Sequence, residues 1–507
     1  MRTKHSIYNL LVNVLSSLIV PVLGFIKVRL FVDLYGSELN GMQLVLMQFI
    51  TFLNIFELAY SLAFRQLLYK PLSEKNRQKV LEIYWGAKKI FMATGWFLLV
   101  VGGIAGFVIP YFINSDISSW EIIISYFILF MPFALSYFLM GPNFVIAADQ
   151  QEYKISIWIQ GIAIVRMIVM IGVILLQLPY ILIFIVEGCQ ILLSNVIARQ
   201  VALKNYPWLN EKKESVDGLF AHNIRYTLSH RLAQITNANT DNLIIQAFFG
   251  LELVSVFGAY SYLAEAINKV VNSIVTSPIN SFGNLFNDTK RDVYAVFTEF
   301  YNFSTYIGTV IAICVFVVMN RLVLIWMGQD LYVLNNVASF LLALNMFYLT
   351  QREPLLVARD TNGLFKKAVL NAYLIAIVKI VLSILLIRRY RIVGILFATA
   401  ISYWVVDFLY TPFLVYRHVF HLDARRYYKM VVLRVFVMVG VGVLAYFGWS
   451  SFTWYTDTSI LHFLLGCMIL GLCVFVVVTI LYWLLFKSFR NLLLRLKMAF
   501  RKEPDHD

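Results

Sequence analysis

Residues 223–250 read NIRYTLSHRLAQITNANTDNLIIQAFFG, and whether that segment crosses a membrane decides the fold. The rest of the chain declares its medium. It is 60% hydrophobic and 14% charged, with runs such as LLVNVLSSLIVPVLGFI and GLCVFVVVTILYWLLF. A span takes about 20 mostly apolar residues, and stretches of that kind recur along the whole sequence. Fourteen spans are predicted, near 7–30, 41–64, 90–113, 120–146, 156–176, 179–199, 223–248, 253–281, 300–326, 332–351, 367–387, 393–416, 431–449 and 459–486. The seventh is the polar segment. Such a helix inside a bilayer faces protein or a water-filled cavity, because lipid solvates neither its amides nor its charges.

Charge tests the crossing. The net charge of +14 suggests a nucleic-acid footprint until it is mapped onto the loops. Cytoplasmic loops of membrane proteins collect Lys and Arg. With the N-terminus inside, the inner loops hold Arg65, Lys70, Lys75, Arg77, Lys79, Lys88 and Lys89, then Arg199, Lys204, Lys212, Lys213, Arg225 and Arg231. Later come Arg417, Arg425, Arg426, Lys429 and Arg434, and a basic tail from Lys487 to Lys502. The outer loops are short and mainly acidic, with Asp33, Glu38, Asp116, Glu121, Glu252, Asp330 and Asp457. If 223–248 did not cross, 17 later basic residues would move outside and only Arg388, Arg389 and Arg391 would move in. The segment is therefore predicted to span, with both termini cytoplasmic and no nucleic-acid partner. The three exceptions sit in a short hairpin whose charges are outvoted. The first apolar run has no small-residue cleavage site and is read as a retained span. The four cysteines, Cys189, Cys314, Cys467 and Cys473, all fall inside spans and read as small core hydrophobes, with neither a disulfide framework nor a metal site expected.

A repeat organises the spans. HSIYNLL at 5–11 matches HNIRYTL at 222–228, and LYGSELNG at 34–41 resembles FFGLELVSVFG at 248–258. Each pair leads to a polar loop, LYKPLSEKNRQKV against LFNDTKRDV. Odd spans match odd spans, so the halves share orientation, as in parallel transporter repeats. The predicted architecture is an all-α polytopic membrane protein. A six-helix lobe occupies 1–200, a cytoplasmic linker 201–222 and a second six-helix lobe 223–417. Two extra helices and the basic tail occupy 418–507. Two such lobes around a cleft suit alternating access.

The ionisable residues well inside the spans are Glu57, Arg166, Glu187, Asp241, Glu265, Lys269, Lys379 and Asp407. Each costs roughly 2.5–3.5 kcal/mol at mid-bilayer on insertion scales, so each needs a partner or water. On the polar segment His230, Gln234, Asn237 and Asp241 share one helical face, with Arg225 and Arg231 close by. Arg166 and Lys379 have no acid in their own spans, and Lys379 shares a face with Asn371 and Ser383. Cations in separate spans suit a phosphorylated substrate, because Arg forks and Lys point charges bind phosphate strongly where water is excluded. Plainer readings stand beside this one. Glu187 can neutralise Arg166 from the neighbouring span, Arg29 can pair with Asp33, Glu265 with Lys269, and Lys27 can snorkel outward.

Several segments resemble one family. They are Asn9, Asn13 and Ser16 leading to LYGSELNGMQLVLMQFITFLNIFELAYSLAFRQLLYKPL, then TDNLIIQAFFGLELVSVFGAYSYL, then ARDTNGLFKKAVLNAYL followed by YRIVGILFATAISYWVVDFLYTPFLVYRHVF. The chain resembles, over essentially its whole length, the Wzx-type polysaccharide flippases of the multidrug/oligosaccharidyl-lipid/polysaccharide exporter superfamily. It departs where members often carry a glycine-rich ELGIG, reading ELAYSLA instead. The resemblance implies two six-helix lobes plus two helices, a cationic cavity, and movement of an undecaprenyl-diphosphate-linked oligosaccharide across a bacterial inner membrane. Arg166, Arg225, Arg231 and Lys379 are the expected substrate contacts. Asp241 and Glu57 are the expected counter-charges or ion-coupling groups. No cofactor, metal or covalent chemistry is expected. The expected partners are the lipid-linked oligosaccharide, membrane lipids, and a polysaccharide polymerase with its export machinery. Two alternatives remain: a cation-coupled drug antiporter of the same superfamily, which would prefer an acidic, aromatic cavity, and a membrane polymerase, which would need a larger outer loop.

Overall fold

The computed structural model describes residues 2–211, 240–276, 293–451 and 460–501, and every regular element among them is helical. The first helices are α1 (Arg2–Tyr35), α2 (Ser37–Leu53), α3 (Ile55–Ser73), α4 (Arg77–Val108), α5 (Ser119–Ser136), α6 (Gly141–Ala148), α7 (Tyr153–Leu175) and α8 (Ile181–Asn205). Then come α9 (Asp241–Phe249), α10 (Leu251–Thr276), α11 (Val293–Met327), α12 (Asn336–Thr361) and α13 (Phe365–Ile401). A π-helical turn, Ser402–Asp407, leads into α14 (Phe408–Val415), and α15 (Arg425–Ser451), α16 (Ile460–Leu485) and α17 (Lys487–Arg501) complete the series. Among the described residues, nine helical stretches are long and apolar enough to cross a membrane. The expected spans at 253–281 and 332–351 lie largely within α10 and α12, which are too polar to join that set. Compact packing divides the chain into Met1–Gly258 and Ala259–Asp507, a division that falls inside α10.

Most of the spanning helices are apolar on nearly every face, as lipid requires. On α16 the buried positions are Phe463, Gly466, Leu470, Val474, Val478 and Tyr482, one stripe at helical spacing. Leu461, Met468 and Leu472, on the other faces, are exposed. In the first unit α1 packs on α7, α7 on α8, and α8 on α5. In the second, α11 packs against α12, α15 and α16. The cysteines are free thiols, and Cys189 and Cys473 sit on the exposed surface rather than in the core expected for them, because each spanning helix packs only part of its circumference against its neighbours.

Glycine marks the repeated segments. Gly36 precedes α2 at φ 92°, ψ 164°, and Gly250 precedes α10 at φ 81°, ψ −177°, a region closed to most side chains. The two segments that match in sequence thus share a helix, an extended left-sided glycine and a second helix. Their helices also meet within the first unit. A Cβ on Gly41 would lie 1.9 Å from the Leu251 carbonyl oxygen, so the two backbones touch there. Asn40 Nδ2 donates to Ser255 Oγ at 2.7 Å beside the contact. The hairpin carrying Arg388, Arg389 and Arg391 is as tight as its sequence predicts. The helical stretch α13 is two helices joined at Arg391 (φ 50°, ψ −132°), where the chain turns so tightly that a Cβ on Gly394 would lie 2.7 Å from the Leu386 carbonyl oxygen.

Candidate functional site

Charge is buried in the first unit where α1, α2, α7 and α8 come together. Arg166 of α7 forms an ion pair with Glu187 of α8, and both side chains are largely buried. Lys27 of α1 is only 7% exposed. Its Nζ donates to Gln43 Oε1 of α2 at 2.7 Å and stands 4.6 Å from the centre of the Phe31 ring. Lys27 also lies within electrostatic range of both Glu187 and Arg166. The expected outward snorkelling of Lys27 is therefore corrected: Gln43 supplies an acceptor inside, so the ammonium need not reach water. Arg29 pairs with Asp33 at 2.5 Å, one turn along α1. Glu265 and Lys269 are both exposed on α10, one turn apart and within electrostatic range of each other, as the spacing suggests.

Two expected spans of this unit are broken. The second is interrupted at Asn54, between α2 and α3, and the fourth at 137–140, between α5 and α6. The breaks meet, with the Tyr137 hydroxyl 3.4 Å from Asn54 Oδ1 and 3.5 Å from the Leu53 carbonyl oxygen. Glu57 sits in the first turn of α3, just past the break, where the helix N-terminus favours negative charge. Pro132 lies within α5 and Pro142 at the start of α6, so the prolines flank the break. Interrupted membrane helices of this kind line cavities or are buried in protein, since lipid cannot satisfy freed amides. Asp241 begins α9 and is partly buried. Arg225, Arg231 and the polar face from His230 to Asn237 lie outside the described residues.

The second unit holds a polar network that sequence reading largely missed. Asp407, at the end of the π-helical turn, is fully buried. Its Oδ1 accepts from Asn371 Nδ2 at 2.8 Å and Thr411 Oγ1 at 2.5 Å. Its Oδ2 accepts from the Tyr348 hydroxyl at 3.1 Å, and Arg352 Nε lies 2.6 Å from the same atom. Arg352 lies one residue past the expected span 332–351, but α12 runs to Thr361 and carries it as part of the helix. The available signal was spacing: Tyr348 and Arg352 are one turn apart, as are Asp407 and Thr411. Lys379 is buried on α13 with Asn371 and Ser383, the face read from the sequence.

Arg434 is a second correction. Counted among loop charges, it is fully buried on α15. Its guanidinium hydrogen-bonds Asn302 Oδ1 and the Met430 carbonyl and lies 4.2 Å from the Phe486 ring and 4.6 Å from the Tyr301 ring. Aromatic faces and amide oxygens take the place of a carboxylate. Farther along α15 and α16, Leu444, Gly448, Trp449, Gly466, Leu470 and Cys473 line an apolar cavity of about 370 Å³. Among the described residues no three His, Cys, Asp or Glu gather as metal ligands.

No protein-family profile and no curated protein matches the sequence. Solved structures do. A lipid II flippase, MurJ, in an inward closed conformation, aligns with a TM-score of 0.69 at 13% identity, covering 94% of this chain and 99% of that one. An inward-facing multidrug resistance MATE transporter of the MOP superfamily aligns with a TM-score of 0.52 at 10% identity, covering 79% of this chain and 98% of that one. This chain therefore has the fold shared by the lipid II flippase MurJ and the MATE transporters.

Proposed function

We propose that the protein is a flippase. It moves an undecaprenyl-diphosphate-linked oligosaccharide repeat unit from the cytoplasmic to the outer leaflet of a bacterial inner membrane, for capsule, O-antigen or exopolysaccharide assembly. The observation that carries this reading is the cationic excess buried in the first unit, where Lys27 and Arg166 gather around Glu187. A diphosphate cannot cross hydrocarbon unaided, and fixed positive charge in a place poor in water offers it a route. Arg166, Arg225, Arg231 and Lys379 are the proposed contacts for diphosphate and sugar, with Asp241 and Glu57 as counter-charges or coupling groups. Three further observations support the reading. The sequence segments quoted above resemble polysaccharide flippases. The flippase fold takes up 94% of the chain where the MATE fold takes up 79%. The apolar cavity along α15 and α16 has the chemistry to hold a polyprenyl chain. Both termini are proposed to lie in the cytoplasm, which the distribution of basic residues in the sequence supports, with the polymerase and export machinery as proposed associates.

A cation-coupled antiporter is the second reading, favoured by one feature, the Glu57 carboxylate at the helix break. One experiment separates the two. Deleting the gene is expected to abolish surface polysaccharide and to leave carrier-linked repeat units on the cytoplasmic leaflet. Normal surface polysaccharide in a strain without a redundant flippase would refute the first reading. New drug sensitivity with unchanged carrier lipid would establish the second.

A further inference from the structure

Arg352 is built unlike a structural ion pair. Its partner Asp407 is fully buried, and three donors hydrogen-bond its two carboxylate oxygens, the Tyr348 hydroxyl, Asn371 Nδ2 and Thr411 Oγ1, while Arg352 Nε forms an ion pair with Oδ2 at 2.6 Å. A carboxylate has about four lone-pair positions, so three hydrogen bonds from three helices' side chains hold Asp407 in place. The π-helical turn Ser402–Asp407 sets it in place, and such turns are frequent at functional sites. Tyr348, which donates to the same oxygen as Arg352 approaches, is itself held by a stacked Tyr403 ring at 5.4 Å. Arg352 is different. Its side chain is 23% exposed, it meets Asp407 through Nε, and among the described residues nothing hydrogen-bonds its two terminal nitrogens.

We propose that Arg352 is an anion-binding residue of the second unit, whose terminal guanidinium nitrogens take phosphate oxygens while Asp407 holds the side chain in position. The proposal rests on the flippase reading and names a diphosphate contact within it. A guanidinium anchored through Nε keeps its planar fork free and pre-oriented, so little side-chain entropy is lost when two phosphate oxygens are bound. Asp407 acts through Arg352 and is a positioning residue. Pairing also lowers the cost of keeping a charge among spans when no substrate is present.

The test uses purified full-length protein and two probes, farnesyl diphosphate and farnesol, which share an apolar tail and differ in the phosphates. Wild type is expected to bind farnesyl diphosphate more tightly than farnesol. The double variant Arg352→Gln/Asp407→Asn removes both charges together and so strands neither. It is expected to lose about tenfold to a hundredfold in affinity for farnesyl diphosphate, the worth of one or two charged hydrogen bonds, with farnesol binding unchanged. Arg352→Lys keeps the ion pair and the charge but not the fork. It is expected to lose about tenfold, and it decides the matter if the double variant does not fold. Wild-type affinity in either variant would overturn the role of Arg352 and leave the flippase reading standing. Wild type that did not distinguish the two probes would overturn both.

Discussion

Glu187 is expected to matter more to stability than Arg166, although the two form one ion pair. The cluster holds two cations, Lys27 and Arg166, and the carboxylate Glu187. Arg166→Gln leaves Lys27 facing Glu187, a neutral arrangement that loses one charged hydrogen bond. Hydrogen bonds to charged groups contribute about 1.5–3 kcal/mol, and a glutamine recovers part of that, so the cost is about 1–2 kcal/mol. Glu187→Gln leaves two cations and no anion. Removing one partner of a buried pair costs about 3–5 kcal/mol. Because the Arg166 side chain is 15% exposed, the lower end of that range applies. The expected asymmetry is about 1–2 kcal/mol, or roughly five- to thirtyfold in the folding equilibrium. The double variant should be less damaged than Glu187→Gln alone, with about 1–3 kcal/mol of coupling. Unfolding of purified protein in detergent, followed by gel filtration after heating, reads these differences. Surface polysaccharide in cells reads transport separately, and there Arg166→Gln should lower export by more than it lowers folded protein. If Arg166→Gln were as destabilising as Glu187→Gln, or if the double variant showed the sum of the singles, the neutralising role given to Lys27 would be wrong.

Gly41→Val should cost about 1–3 kcal/mol or more, since even its Cβ would meet the Leu251 carbonyl at 1.9 Å; folded yield of the purified variant checks this. Asn302→Ala should be more damaging than Arg434→Met in the same heating assay. It strands a fully buried guanidinium, whereas methionine fills the aromatic cage without a charge. Cysteine labelling in the 417–430 loop should occur only from the cytoplasmic side. Labelling from outside would undo the crossing of residues 223–248 and the orientation of every later helix.

Membrane insertion was legible from the sequence, because hydropathy acts on a local window: about 20 apolar residues satisfy their own backbone as a helix whatever surrounds them. The Arg29–Asp33 pair was legible for the same reason, one helical turn fixing both residues. So was the hairpin at Arg391. Which charges meet was decided only by tertiary packing. Arg166 and Glu187 stand on neighbouring helices, Lys27 and Gln43 on two others, and Arg352 on α12 reaches Asp407 beyond the whole of α13. The interruptions at Asn54 and 137–140 were not visible in runs of helix-forming residues. The two breaks meet through the Tyr137 hydroxyl beside Asn54, a contact between distant segments that no local window contains. Arg434 shows the reason most directly. Its position at a span's edge suggested a loop charge, but a ring of aromatic side chains from distant parts of the chain buries it, and no local pattern encodes that enclosure.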